Sequence, residues 1–168
     1  MKNEIDKAIL GVISDTHGEV SETKKAVELF RQFNIKTILH CGDIGGVSVV
    51  ECFAGFDTHF VYGNTDGESR IVADAVQKTG GTLHNLYGEI ECCGKRIFFL
   101  HGHQIQVLQR AVHSKKYDLV CYGHTHIAAF EIYEETMVLN PGAFRRVAVP
   151  TVAVVKLPEI TVETLTVR

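Results

Sequence analysis

Five polar residues, Asp15, Asp43, Asn64, His101 and His124, each stand just past the end of a short apolar run. The runs are Ala8 to Ser14, Lys36 to Cys41, Thr58 to Tyr62, Lys95 to Leu100 and Leu119 to Tyr122. They have the length of strands, and their near-continuous apolar character is that of strands buried on both faces. None approaches the ~20 apolar residues needed to span a bilayer. In open α/β sheets the carboxyl ends of the strands line one crevice, and ligands bind there. A chain with this pattern is therefore constrained to deliver five polar groups to one place.

The segments between the runs support such a sheet. Ser21 reads as the N-cap of a helix with Glu22 in its first turn, and Ala26, Leu29, Phe30 and Phe33 recur at helical spacing. Val47 to Ala54 and Ser69 to Lys78 read as further helices, which gives strands alternating with helices and hence a parallel sheet. The second half changes character. Leu86 to Cys92 and Lys95 to Leu100 flank Cys93-Gly94 as a hairpin, and a helix from Gln104 to His113 follows. Beyond Leu119 to Tyr122 come Ile127 to Tyr133, Met137 to Leu139, Thr151 to Lys156 and Ile160 to Val167, which are Val-rich and almost free of helix. The expected fold class is α/β, with two mixed sheets packed face to face and helices outside. At 168 residues the chain has room for one domain, 1–168, and no repeat or linker divides it. The Val-rich half also suggests an edge strand or sheet face that needs cover, such as a homo-oligomer would give.

Composition narrows the function classes. Hydrophobic residues make up 45% and charged residues 22%, as in ordinary folded proteins, and a net charge of −3 gives no broad attraction to nucleic acid. No membrane association is expected. The apolar stretch Ala8 to Ile13 runs into Ser14-Asp15-Thr16-His17 rather than a small-residue cleavage site, so it does not read as a signal peptide. Five Cys in no framework spacing, with Cys92 and Cys93 adjacent and Cys41 and Cys121 read as buried thiols, suit a reducing cytoplasm.

Nine His is the unusual number, and five of them fall in short clusters at run ends. The clusters are Asp15-Thr16-His17, Gly42-Asp43, Gly63-Asn64, His101-Gly102-His103 and Gly123-His124-Thr125-His126. Asp15 and His17 are two apart and share a face at an extended strand end, as do His124 and His126. The glycines before Asp43, Asn64 and His124 permit tight turns and close backbone approach. Each cluster alone has a plainer reading, since Asp-x-His caps helices and Gly-Asp is turn chemistry. Their order and shared position at strand ends favour a metal centre. Two divalent ions bring four positive charges, Asp15 and Asp43 return two negative ones, and a bridging hydroxide leaves a core near +1. That suits an anionic phosphoester and its more negative transition state. Two ions about 3.5–4 Å apart clamp the attacking and leaving oxygens and lower the pKa of bound water toward ~7. Carboxylate, amide and imidazole donors without thiolate suit Mn, Fe, Zn, Co or Ni.

The ordered set D-x-H, G-D, G-N, H-G-H, G-H-T-H resembles that of the calcineurin-like metallophosphoesterases, from Ile9 to about Val155. The short length and the Gly63-Asn64-Thr65-Asp66 form resemble the small YfcE-like prokaryotic phosphodiesterases. The resemblance implies a four-layer αββα sandwich and a phosphodiesterase acting on a small phosphoester. It also implies one ion on Asp15, His17, Asp43 and His126 and a second on Asp43, Asn64, His101 and His124. Asp43 would bridge the two, and Asn64 would also meet the substrate. Manganese is the metal it favours, and a homo-oligomer is the assembly. The alternative on the same fold is a non-catalytic protein-interaction scaffold, which would be expected to have lost ligands, whereas all seven positions here are filled. Two departures stand out. Thr65 occupies the place of a proton-donating His in many relatives, which leaves His103 as a candidate acid or as a residue that only hydrogen-bonds a ligand carboxylate. Asn140-Pro141-Gly142-Ala143 lacks the family's Ser and is followed by Phe144-Arg145-Arg146. Arg145 and Arg146 read more simply as solvated loop charges than as phosphate contacts. His40 reads as a core histidine, and His59, His84 and His113 carry no assigned role.

Overall fold

The computed structural model describes residues 7–168. The parallel part of the first sheet is built by strands β1 (Ala8–Ile13), β2 (Thr37–His40), β3 (Asp57–Phe60) and β4 (Thr82–Leu83). Helices α1 (Val20–Gln32), α2 (Val47–Glu51) and α3 (Arg70–Lys78) make the crossovers. The chain then forms β5 (Tyr87–Cys92), β6 (Lys95–Leu100), α4 (Ile105–His113), β7 (Leu119–Cys121), β8 (Ala129–Tyr133) and β9 (Thr136–Asn140). It closes with β10 (Thr151–Leu157) and β11 (Thr161–Thr166). The six-stranded sheet has the order β11-β10-β1-β2-β3-β4, and the five-stranded sheet has the order β5-β6-β7-β9-β8. Both are mixed. β10 returns from the far end of the chain to lie antiparallel beside β1, from Ala8↔Leu157 to Val12↔Ala153.

Side-chain alternation sorts the core into layers. In β1, Leu10 and Val12 face the second sheet with Leu39, Val61, Ile97, Phe99, Leu119 and Leu139. Ile13 faces the other way, against α1 to α3, with Ala26, Phe30, Ile38 and Phe60. On the far side of the second sheet, Leu108 and Ala111 of α4 cover Phe98, Leu100 and Val120. The result is helices, sheet, sheet, helix, the four-layer αββα sandwich. Cys41 and Cys121 lie buried in the intersheet layer, and all five thiols are free. No described helix is long and apolar enough to cross a membrane.

Several boundaries differ from the sequence reading. Ser21 is not the N-cap of α1. The helix begins at Val20 after Glu19, which makes no side-chain cap, and Ser21 lies in the first turn. Its start is set instead by the preceding loop, where the N–H groups of His17 and Gly18 donate to the carbonyls of Asp43 and Ile44 at 2.9 and 3.1 Å. A side-chain cap does occur on α3, where Ser69 Oγ accepts from Val72 N at 3.4 Å. The two-residue β4 was missed because it is too short to show a period. α2 ends at Glu51 in a series of tight turns rather than at Ala54, and β8 begins at Ala129 rather than Ile127. β8 is an edge strand that exposes Phe130, Ile132 and Tyr133.

Phe99 is fully buried between the sheets. Phe99→Ala should lower the unfolding free energy by about 3–5 kcal/mol in urea titration. A loss under about 1 kcal/mol would mean that the intersheet layer is not the packed centre of the molecule.

Candidate metal centre

The five strand ends meet as the sequence pattern implies. Asp15, Asp43 and His101 are buried, and His17 and His126 are partly exposed beside them. Two sets of donor atoms come within ligand range of one another, Asp15 with His17 and His126, and Asp15 with Asp43 and His101. The sets meet at Asp15, whereas Asp43 is the bridge the resemblance implies. Asp43 Oδ2 nevertheless lies 3.4 Å from His17 Nε2 and 3.4 Å from His101 Nε2, between the two groups. Asn64 Oδ1 is 3.1 Å from His101 Nε2, and the His124 ring packs edge-on against His101 at 5.1 Å. His17, Asp43, Asn64, His124 and His126 line one cavity of about 540 Å³, together with Arg145 and Arg146.

The backbone that carries these groups is strained. Asp15, His17, Asp43, His124 and His126 all have φ between +44 and +67°. Non-glycine residues in this left-handed region cost of order 1–3 kcal/mol each, and they persist where the surroundings hold them. Gly63 and Gly123 make the close approach possible. A Cβ on Gly63 would collide with the Asp43 carboxylate and backbone N, and one on Gly123 would collide with Ser14 Oγ. The expectation of close backbone approach at these glycines is met.

Each donor is oriented by a partner. Asp15 Oδ2 accepts from Ser14 Oγ at 2.6 Å and from His124 N at 3.0 Å. Its Oδ1 is buried and accepts no hydrogen bond. That oxygen faces His126 Nε2 at 3.1 Å, His17 Nε2 at 3.7 Å and His101 Nε2 at 4.0 Å. Asp43 Oδ1 accepts from Thr65 N at 2.9 Å, which leaves Oδ2 for the cluster. His101 Nδ1 donates to the Cys41 carbonyl at 2.8 Å. In the neutral tautomer this leaves the Nε2 lone pair facing the oxygens of Asp43 and Asn64. A second proton or a cation between them resolves the repulsion. Burial raises the pKa of Asp43, but hydrogen bonds from His101 and Thr65 outweigh it and hold the carboxyl well below the usual range. Burial lowers the pKa of His101, and its interactions with Asp43 and Asp15 outweigh that and raise it. A buried carboxylate oxygen without a donor, amid imidazole nitrogens and a second carboxylate, fits divalent cations of the Mn-to-Zn series.

Sequence reading missed the supports. Asp66 Oδ1 accepts from Ile44 N and Gly45 N at 2.8 and 3.1 Å, and its Oδ2 accepts from Gly63 N at 2.8 Å, tying three loop residues together. Its place in Gly-Asn-Thr-Asp was a legible turn signal. Asn140 Nδ2 donates to Gly123 O at 2.9 Å and to Thr125 Oγ1 at 3.0 Å. Ser14 and Thr16 gave no signal beyond adjacency to Asp15. His103 makes no hydrogen bond to a ligand carboxylate among the described residues. Its Nδ1 is buried without a partner, and its ring lies 5.5 Å from that of His101. Of the remaining histidines, His59 Nδ1 and His84 Nε2 pair at 2.9 Å, and His113 Nδ1 donates to Gln109 O.

Carboxylates and imidazoles collected at the strand ends of two facing mixed sheets define a metallophosphoesterase fold. The calcineurin-like phosphoesterase superfamily domain matches residues 9–159, and the chain belongs to that superfamily. A phosphodiesterase of Methanocaldococcus jannaschii is 34% identical over 136 residues, covering 79% of this chain and 82% of that protein. The solved structure of an archaeal phosphodiesterase superposes with a TM-score of 0.88 at 29% identity, covering 94% of this chain and 99% of that one. Wild-type Vps29 of Entamoeba histolytica superposes with a TM-score of 0.64, covering 95% of this chain and 99% of that one, and at 18% identity that likeness shows the fold alone.

His40, expected as a core histidine, is fully buried. Its Nδ1 accepts from Gly42 N at 3.2 Å, so its Nε2–H donates to Thr16 Oγ1 at 2.9 Å. Burial, with a smaller contribution from His101, lowers its pKa from 6.5 to about 3. The unfolded chain therefore binds a proton below pH 6.5 that the folded chain refuses until about pH 3. Stability present above pH 6.5 should fall across that window by up to about 1.4 kcal/mol per pH unit. His40→Gln should flatten the decline between pH 6.5 and 4 in denaturant titrations, and an unchanged slope would assign the acid sensitivity elsewhere.

Proposed function

We propose that this chain is a phosphodiesterase that works with two divalent metal ions on a small phosphoester. The support is the donor geometry, with two ligand groups joined through Asp15 and Asp43 Oδ2 lying between an imidazole of each. The first ion is assigned to Asp15, His17, Asp43 and His126, and the second to Asp43, Asn64, His101 and His124. Manganese is the metal proposed, with Fe, Zn, Ni and Co compatible with the same donors. Bound there, the ions supply Lewis acidity that brings the pKa of a water toward ~7 and offsets the charge of the phosphoryl group.

The protein's own part is orientation. Ser14 and the His124 N–H fix one oxygen of Asp15, and the Thr65 N–H fixes one oxygen of Asp43. Each carboxylate is left with one oxygen aimed into the centre. The Cys41 carbonyl holds the His101 tautomer, so that Nε2 is the nitrogen presented. Asn64 lies on the cavity wall, where its amide also meets the substrate. Thr65 cannot protonate a leaving alkoxide at neutral pH, and His103, whose ring lies 5.5 Å from that of His101 and 6.2 Å from that of His124, is the proposed donor. A non-catalytic scaffold on the same fold is disfavoured by the complete donor set. Buried carboxylates and imidazoles retained without ions would carry an uncompensated desolvation cost.

Chelation should abolish hydrolysis of bis(p-nitrophenyl) phosphate, and manganese or another transition ion should restore it. Turnover that continues in chelator, with metal absent by elemental analysis, refutes the two-metal reading, and a purified chain that takes up no metal supports the scaffold. Asp43→Ala should lower the bound metal toward none, whereas His17→Ala should retain about one ion per chain. Two ions retained by the Asp43 variant would disprove the bridge.

A general acid typically contributes ~10²–10⁴-fold, most where the leaving group is poor. His103→Ala should therefore slow an alkyl diester by about 10²-fold or more while slowing a nitrophenyl diester little, at unchanged metal content. Equal losses on both would leave His103 without a role in proton transfer.

A further inference from the structure

Arg145 and Arg146 stand on the loop from β9 to β10, and both line the cavity beside His17, His126 and Asn64. Three contacts fix where that loop carries them. Phe144, next to Arg145, is buried in the helix-side core, and its N–H donates to the Asp15 carbonyl at 3.1 Å. At the loop's two ends, Thr151 Oγ1 donates to the Pro141 carbonyl at 2.8 Å. Arg145 is thus tethered through one residue to the backbone of Asp15 itself. In an extended chain, consecutive side chains point to opposite sides. Arg146 has φ +61°, and this left-handed turn breaks the alternation and lets both residues reach one wall.

Neither guanidinium makes an ion pair or a hydrogen bond among the described residues. Asp43, the acidic residue on the cavity wall, and Asp15 and Asp66 in the adjoining loops are committed to the donor cluster or to loop N–H groups. Two unpaired guanidiniums therefore face a site whose own charge, with two ions present, is already positive. One diester carries a single negative charge, which does not balance such a wall. A terminal phosphate carries about −1.5 to −2 near pH 7 and accepts bidentate hydrogen bonds from guanidinium.

The geometry points to Arg145 and Arg146 as a clamp for a second phosphate, so that the preferred substrate is a phosphodiester bearing a further phosphomonoester group. The inference rests on the phosphodiesterase reading for the scissile bond and on the cavity wall for the clamp.

The test uses the full-length, manganese-loaded protein and a pair of esters that differ by one group. These are the p-nitrophenyl ester of thymidine 5′-phosphate, and the same ester with a 3′-phosphate. The wild-type protein should favour the 3′-phosphorylated ester by about tenfold or more in kcat/KM. That preference should fall toward unity in Arg145→Ala/Arg146→Ala, be partly kept in Arg145→Lys/Arg146→Lys, and weaken as salt rises. A wild-type ratio near one, or a ratio the double alanine variant preserves, overturns the clamp.

Calorimetry separates this outcome from failure of the phosphodiesterase reading. Thymidine 3′,5′-bisphosphate should bind the wild-type protein about tenfold more tightly than thymidine 5′-phosphate, and the double alanine variant should bind both alike. If neither ester is hydrolysed but this difference in binding stands, the reaction assignment fails and the clamp holds. Equal binding of the two ligands by the wild-type protein refutes the clamp whatever the catalysis.

Discussion

The Asp15 carboxylate is fully buried, with one oxygen hydrogen-bonded and the other bonded to nothing. Desolvating such an oxygen is costly unless positive charge meets it. Much of the molecule is arranged around that requirement. β1 carries the residue to the edge of the intersheet layer, and β2 and β10 hold the strand from either side. Three imidazoles, His17 from the same loop and His101 and His126 from two others, turn a nitrogen toward the same oxygen. The cluster is the candidate metal centre of this calcineurin-like phosphoesterase, and the anchoring hydrogen bonds leave the carboxylates little freedom to turn away from it.

Close packing of backbone against backbone makes the convergence possible. The loop after β3 closes on the loop after β2, and the loop after β7 closes on the end of β1, so tightly that side chains at positions 63 and 123 would overlap the donors or their supports. Five of the donor residues meanwhile sit in left-handed backbone, away from the conformations they would choose in isolation. The free energy that holds them there comes from the apolar layers beneath. The intersheet layer, with Leu39, Phe99, Leu119 and Leu139 fully buried, is a rigid floor for the site. The loops themselves contain few apolar anchors, Phe144 being one.

Much of this was legible in the sequence, and for physical reasons. Strands buried on both faces must be apolar throughout, so the runs that end at Asp15, Asp43, Asn64, His101 and His124 announced themselves. Glycines placed before donors announced close approach. What escaped was contact between distant segments. Nothing local to Asn140 says that its amide will brace Gly123 and Thr125, and nothing near Ser21 says that the Asp43–Ile44 carbonyls will fix the helix start two residues earlier. β4 is two residues long and has no period to read. Arg145 and Arg146 looked like solvated charges because only the folded loop places them on the cavity wall.

The site is also spread widely along the chain. His17 and His126, whose Nε2 atoms lie 3.4 Å apart, are separated by 109 residues, and β1 is flanked on one side by β10. During synthesis, Asp15, His17, Asp43 and Asn64 leave the ribosome well before the imidazoles of the second sheet and long before the strand that closes the first. A nascent chain therefore holds only an incomplete set of donors, exposed and weakly organised, through most of its translation. Loop closures of this length are slow and entropically costly. The full donor cluster is consequently a property of the finished fold, completed only when the last strands dock.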